Sequence, residues 1–162
     1  MKKIIILSVI FTLTIFNICR AQNDKYKYMI PKSSDMSKAT IFIFRLTNGT
    51  EKITRDPIAL QNQLEKLSEV NRTDFLDKHK DIKGGSVFVL NLKPSVKNLI
   101  SLDEILEKYN IKKEDRVFDI IVNGYNAVDR NHIYAAAGSI ESVKVDYQDK
   151  VILITAKPDN NK

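Results

Sequence analysis

The chain has 162 residues, with 26 Lys and Arg against 20 Asp and Glu, two histidines and one cysteine. That length suits one domain able to bury a core without covalent staples, and the lone Cys19 excludes a disulfide framework or a cysteine-built zinc site. The basic residues are scattered among acids and form no cluster, which argues against a nucleic-acid partner.

Lys2 and Lys3 precede an apolar run from Ile4 to Ile18, and Cys19-Arg20-Ala21 places small residues three and one before Gln22. The pattern predicts a secretory signal peptide over 1–21, cut between Ala21 and Gln22. An uncleaved anchor is the alternative, but the run is shorter than the ~20 apolar residues that span a bilayer. Lipid attachment at Cys19 is a third reading, and Phe16, Asn17 and Ile18 supply no small residue directly ahead of that cysteine. Cleavage leaves 23 basic and 20 acidic residues, a net charge of +3 in place of +6, and no cysteine. The expected location is the periplasm or the exterior, with outer-membrane association as a further option and membrane contact only through the signal unless Cys19 is lipidated. Residues 22–38, lysine-rich and broken by Pro31, read as a flexible leader. Residues 39–158 then form a single α/β domain and 159–162 a tail.

Within that domain Thr40 to Leu46 holds Ile41, Phe42, Ile43 and Phe44, a strand ended by the turn at Asn48-Gly49. Asp56-Pro57 has the form of a helix entry, and Leu60, Leu64 and Leu67 follow at helical spacing, so an amphipathic helix is expected there. A short helix is expected over Thr73 to Lys80 with Phe75 and Leu76 inward. Gly84-Gly85 precedes the strand Val87 to Leu92, the wrong order for a phosphate-binding loop, and reads as a plain turn. Ser101-Leu102-Asp103-Glu104 is a capping box opening a helix from Leu102 to Tyr109. Val117 to Val122 is an apolar run of the kind covered on both faces. Asn123-Gly124 suits a type I′ turn with a return strand from Tyr125 to Val128. Ser139 to Tyr147 alternates, with Val143, Val145 and Tyr147 on one face, and Val151 to Ile154 is apolar throughout and belongs near the sheet centre. The sum is an α/β (α+β) fold, a mixed sheet with helices packed on it.

The order Ile120-Ile121-Val122-Asn123-Gly124, then Ile140-Glu141-Ser142-Val143-Lys144-Val145, then Ile152-Leu153-Ile154-Thr155 with Lys157, resembles the C-terminal half of the plug domain of TonB-dependent outer-membrane receptors. The segment from Ser101 to Ile111 resembles that family's preceding helix. The family's Gly-rich loop between the two strands is reduced here to Asp146 through Lys150. The resemblance covers roughly the last 60 residues and implies a stand-alone plug-like domain with no receptor barrel, acting as a binding module of the cell envelope.

For chemistry, the group Asp129, Arg130, His132 and Tyr134 stands out, since loops carry function more often than regular elements do. It is read as a candidate partner-binding loop. An Asp129–His132 pair able to orient a base, with Ser139 as nucleophile, is the alternative reading of a small secreted hydrolase, but no nucleophile-elbow pattern accompanies it. His79 lies among charges and reads as solvated. Asp103 and Glu104 are explained by helix capping. No catalytic residue, metal or cofactor is expected, and the partner is expected to be another envelope protein, met through this loop or an exposed sheet edge.

Overall fold

A computed structural model describes residues 39–127 and 129–158. Its fold has mixed α/β content, with two α-helices and three sheets among the described residues. The residues expected to form a signal peptide, a leader and a tail, and the Val128 end of the return strand, lie outside the described residues.

The first sheet grows from the run Ile41 to Phe44. β1 (Ile41–Arg45) turns and returns antiparallel as β2 (Glu51–Thr54), setting Arg45 opposite Glu51. Gly49 takes φ +86° in the turn, and Asn48 Oδ1 accepts from the Thr50 amide at 3.0 Å. The apolar run before Asn48-Gly49 marks β1 alone, and the return strand β2 is an addition. β3 (Leu64–Val70) and β4 (Val87–Leu92) complete the order β2-β1-β4-β3, with β4 parallel to β1 and antiparallel to β3.

β3 corrects the helix expected from Asp56-Pro57. Only a single 3₁₀ turn, Gln61–Gln63, forms before the chain becomes extended. The cause lies in the register, which shifts between Leu64, opposite Leu92, and Lys66, opposite Asn91. The extra residue of that bulge returns Leu64 and Leu67 to one face, although three residues separate them. Both then pack against the same apolar cluster. A bulged strand thus mimics helical spacing.

Both faces of this sheet are covered, as its continuous apolar runs require. Phe44, Leu90 and Leu92 pack with Val96 and Ala136 on one side. Ile41, Ile43, Val87 and Val89 pack with Phe75 on the other. Phe75 comes from α1 (Arg72–Lys78), which Asn71 caps by accepting from the amides of Thr73 and Asp74. His79 ends that helix half-buried and stacked on Phe75 at 4.5 Å between ring centroids.

The second large sheet occupies the C-terminal half. β6 (Asp119–Val122), β7 (Tyr125–Asn126), β9 (Ile140–Asp146) and β10 (Val151–Ala156) lie in the order β7-β6-β10-β9. β10 is internal, parallel to β6 and antiparallel to β9, as its lack of a polar face demands. Asn123 and Gly124 take φ +51° and +88°, the two positive angles of a type I′ turn. Val117 is a correction: it ends a 3₁₀ turn, Lys113–Val117, and is 80% exposed. Asp115 O accepts the Phe118 amide, which holds the turn until the strand begins at Asp119, and of the two residues Val117 and Phe118 the second packs against the core.

Between the sheets, β5 (Leu99–Ser101) pairs antiparallel with β8 (Tyr134–Ala136). Ile58 joins β8 through its own main chain, its amide donating to Tyr134 O at 3.2 Å and its carbonyl accepting from Ala136 at 2.8 Å. Its side chain is buried in the second core, among Ile105, Leu106, Ile120, Ile152 and Ile154. A residue of the first half therefore sits inside the second.

Ile105 and Leu106 belong to α2 (Leu102–Lys108), whose capping box forms as read from the sequence. Ser101 donates to Glu104 Oε2 from its amide at 2.6 Å and from Oγ at 2.7 Å. These bonds, with the Lys52 charge, hold the Glu104 carboxyl below its usual range. A lowered carboxyl stabilises the fold fully above its unfolded-state value, and that contribution is lost as pH falls through the folded value. Ser101→Ala is expected to cost about 1 kcal/mol at neutral pH and less in acid, which urea titrations at the two pH values would check.

Tyr147, 62% exposed, opens the turn after β9 and meets Phe118 edge-on at 6.3 Å. Its hydroxyl donates to Asp115 Oδ2 at 3.1 Å, which raises the phenol above its ordinary value. Because the folded state favours the neutral phenol, this contribution stands below the unfolded-state value and is lost as pH rises through the folded one. In a spectrophotometric titration Tyr147→Phe should remove the late part of the tyrosinate rise and leave the early part.

Candidate functional site

The loop from β7 to β8 becomes a site because Asp129 organises it. Asp129 caps the 3₁₀ turn Arg130–His132, its Oδ1 accepting from the Asn131 amide at 3.1 Å. Its Oδ2 lies 2.7 Å from His132 Nδ1. A carboxylate accepts only, so Nδ1 carries the proton of that bond, and Nε2 of the neutral ring is left as an acceptor.

A third side chain enters from the other half of the molecule. Arg55, just after β2, is 5% exposed along its side chain, against 17% for Asp129 and 44% for His132. Its Nε is 3.8 Å from Asp129 Oδ2, and its Nη groups donate to Ala39 O at 3.5 Å and to Lys83 O. One guanidinium thus joins the segment before β1, the loop before β4 and the 129–132 turn. Asp56 assists, its Oδ2 accepting from the Asp129 amide at 3.4 Å. Ile53, Asp81, Ile82 and Lys83 complete a pocket of about 220 Å³ with Arg55, Asp129 and His132.

The loop's other two candidates point elsewhere. Arg130 donates to Phe118 O at 2.6 Å and to Arg116 O, fastening the loop to the approach of β6. Tyr134 packs against the first core, with Lys52 Nζ 5.5 Å from its ring centre. Ser139, considered as a nucleophile, is fully buried, its Oγ 2.7 Å from Ala136 O and 3.1 Å from Ile58 O. A buried hydroxyl held between two carbonyls is a structural donor, because exposing it for attack would leave those acceptors unsatisfied. The residues lining the pocket include neither a hydroxyl nor a thiol. Among the described residues no group of three or more His, Cys, Asp or Glu side chains is placed to hold a metal.

The structure therefore joins Asp129 to His132 and separates both from Arg130, Tyr134 and Ser139. Arg55 escapes sequence reading because its partners lie in distant segments and its surroundings, Thr54-Arg55-Asp56, look like an exposed loop. In the Gly84-Gly85 turn the Gly85 amide donates to Ala39 O at 2.9 Å, and Gly84 O accepts from Arg72 Nε at 2.8 Å. No protein-family model, curated protein or solved structure matches this chain.

Proposed function

We propose that this chain is a non-catalytic binding module of the bacterial cell envelope, exported by its N-terminal signal and plug-like in its C-terminal half. The observation that carries this reading is how the polar groups of the most reactive-looking loop are used. Asp129 caps a turn and faces Arg55, Arg130 holds two carbonyls, and Ser139 is buried on two more. Such groups brace a surface, and the two four-stranded sheets end in edge strands suited to adding a partner's strand.

The test is a pull-down from envelope extracts with the tagged mature chain. A specific envelope protein should be enriched equally by wild type and by His132→Ala. Capture of nothing above background would refute the reading. The formed Asp129–His132 pair favours one second reading, hydrolysis by a water that His132 Nε2 deprotonates. Turnover of an ester or peptide substrate, abolished in His132→Ala at an unchanged urea midpoint, would put that reading first.

A further inference from the structure

We infer that β3 is the edge on which this module receives its partner: an extended segment of another protein, placing an apolar side chain opposite Leu67 and a basic one opposite Glu69. This rests on the binding-module reading above.

The edges of the two large sheets are not equivalent. β2 offers four residues and β7 two. β9 offers seven, but Tyr109 already donates to Ile140 O at 3.3 Å, and Glu141 and Asp146 are engaged by other groups. β3 also has seven residues, and from Lys66 to Val70 all its strand partners are in β4. Lys66 O accepts from Asn91 Nδ2 at 3.5 Å, and beyond it the outer side from Leu67 to Val70 presents main-chain donors and acceptors at strand spacing, which only an extended backbone satisfies in register.

The side chains narrow the partner's chemistry. Leu67 and Glu69 stand on the face of Leu90 and Phe88, whereas Lys66, Ser68 and Val70 stand on the opposite face with Asn91, Val89 and Val87. Leu67 and Val70 are only half-buried, so an added strand would complete their cover. Glu65 and Glu69 are exposed and make no ion pair among the described residues. A basic side chain directly across from Glu69 is the favourable cross-strand pair, and a like charge is not.

The same pairing rule disfavours a second copy of this chain. Antiparallel self-pairing centred on Leu67 sets Glu65 against Glu69 twice. Centring on Lys66 or Glu69 opposes identical charges, and centring on Ser68 places Glu69 over Leu67. The occupant is therefore a different chain, with apolar and basic residues two apart on one face.

The test uses the mature chain, labelled with nitrogen-15, and three blocked heptapeptides. The first, Thr-Lys-Thr-Val-Thr-Lys-Thr, presents the motif in either strand direction. The second replaces both lysines by glutamate, and the third is the first with alternate amides N-methylated. The lysine peptide should shift amides between Leu64 and Val70, and should bind at least about fivefold more tightly than the glutamate peptide. N-methylation should abolish binding. The double variant Glu65→Lys, Glu69→Lys, checked for an unchanged urea midpoint, should prefer the glutamate peptide.

Shifts centred on β9 or β2, equal binding of the N-methylated peptide, absence of any shift, or failure of the charge swap would each overturn the assignment. So would concentration-dependent shifts of β3 amides without peptide, which would mean self-pairing. Failure of the broader reading looks different. If wild type and double variant capture the same envelope protein equally, the module stands and the β3 assignment falls. If neither captures any, the module reading falls whatever the peptides do.

Discussion

Arg55→Ala is expected to destabilise the fold by about 3 kcal/mol, the lower end of the range for removing one partner of a buried ion pair. The substitution strips donors from Ala39 O and Lys83 O and leaves Asp129, whose side chain is 17% exposed, facing a void. Partial solvent access to Asp129 is why the lower end applies. Arg45→Ala is the control. Arg45 Nε lies 2.6 Å from Glu51 Oε1, far closer than the 3.8 Å between Arg55 and Asp129, yet both its side chains are nearly half exposed. Screened by water, that pair should contribute only about 0–1 kcal/mol. Urea unfolding of both variants decides whether burial or distance governs, and a larger loss for Arg45→Ala would refute the argument.

Gly84→Ala should destabilise by about 1–3 kcal/mol, the cost of overpacking a filled site. A Cβ on Gly84 would stand 2.3 Å from Ile41 Cδ1 and 2.6 Å from Cγ1, with Ala39 O at 3.2 Å. Ile41 is fully buried between α1 and β4, so its side chain has little room to withdraw. The residue is therefore glycine for lack of space. The discriminating measurement is a double-mutant cycle with Ile41→Ala, which removes both clashing atoms. The double variant should lose less than the sum of the singles by at least about 0.5 kcal/mol, whereas strict additivity would mean that the clash is absorbed elsewhere.

What could be read from residues alone was the local part of the fold. The strand Val87–Leu92, the capping box at Ser101 and the internal place of the run Val151 to Ile154 each follow from patterns within a few residues, and each is found. β3 was not legible as a strand because its bulge hides inside the leucine spacing, and the bulge is defined only by the opposing Leu92 and Asn91. The division into two large sheets was hidden for a related reason, since it is set by which distant strands pair, β1 with β4 and β6 with β10, and no local pattern names those partners. At the site the same boundary holds. Asp129 and His132 are three residues apart and could be paired by eye, but the buried Arg55 that completes the cluster comes from across the fold.

The insertion of Ile58 sets a constraint on the order of folding. Ser139 reaches the Ile58 carbonyl across 81 residues, and Gln63 reaches Ala137 across 74. Closures of that span come late and slow the search for the native state. While the chain is being made, its first half keeps an apolar isoleucine whose burial is complete only when the stretch through Ile154 has emerged. A nascent chain that must wait for its own far end stays pliable for longer, and either half expressed alone should fail to fold.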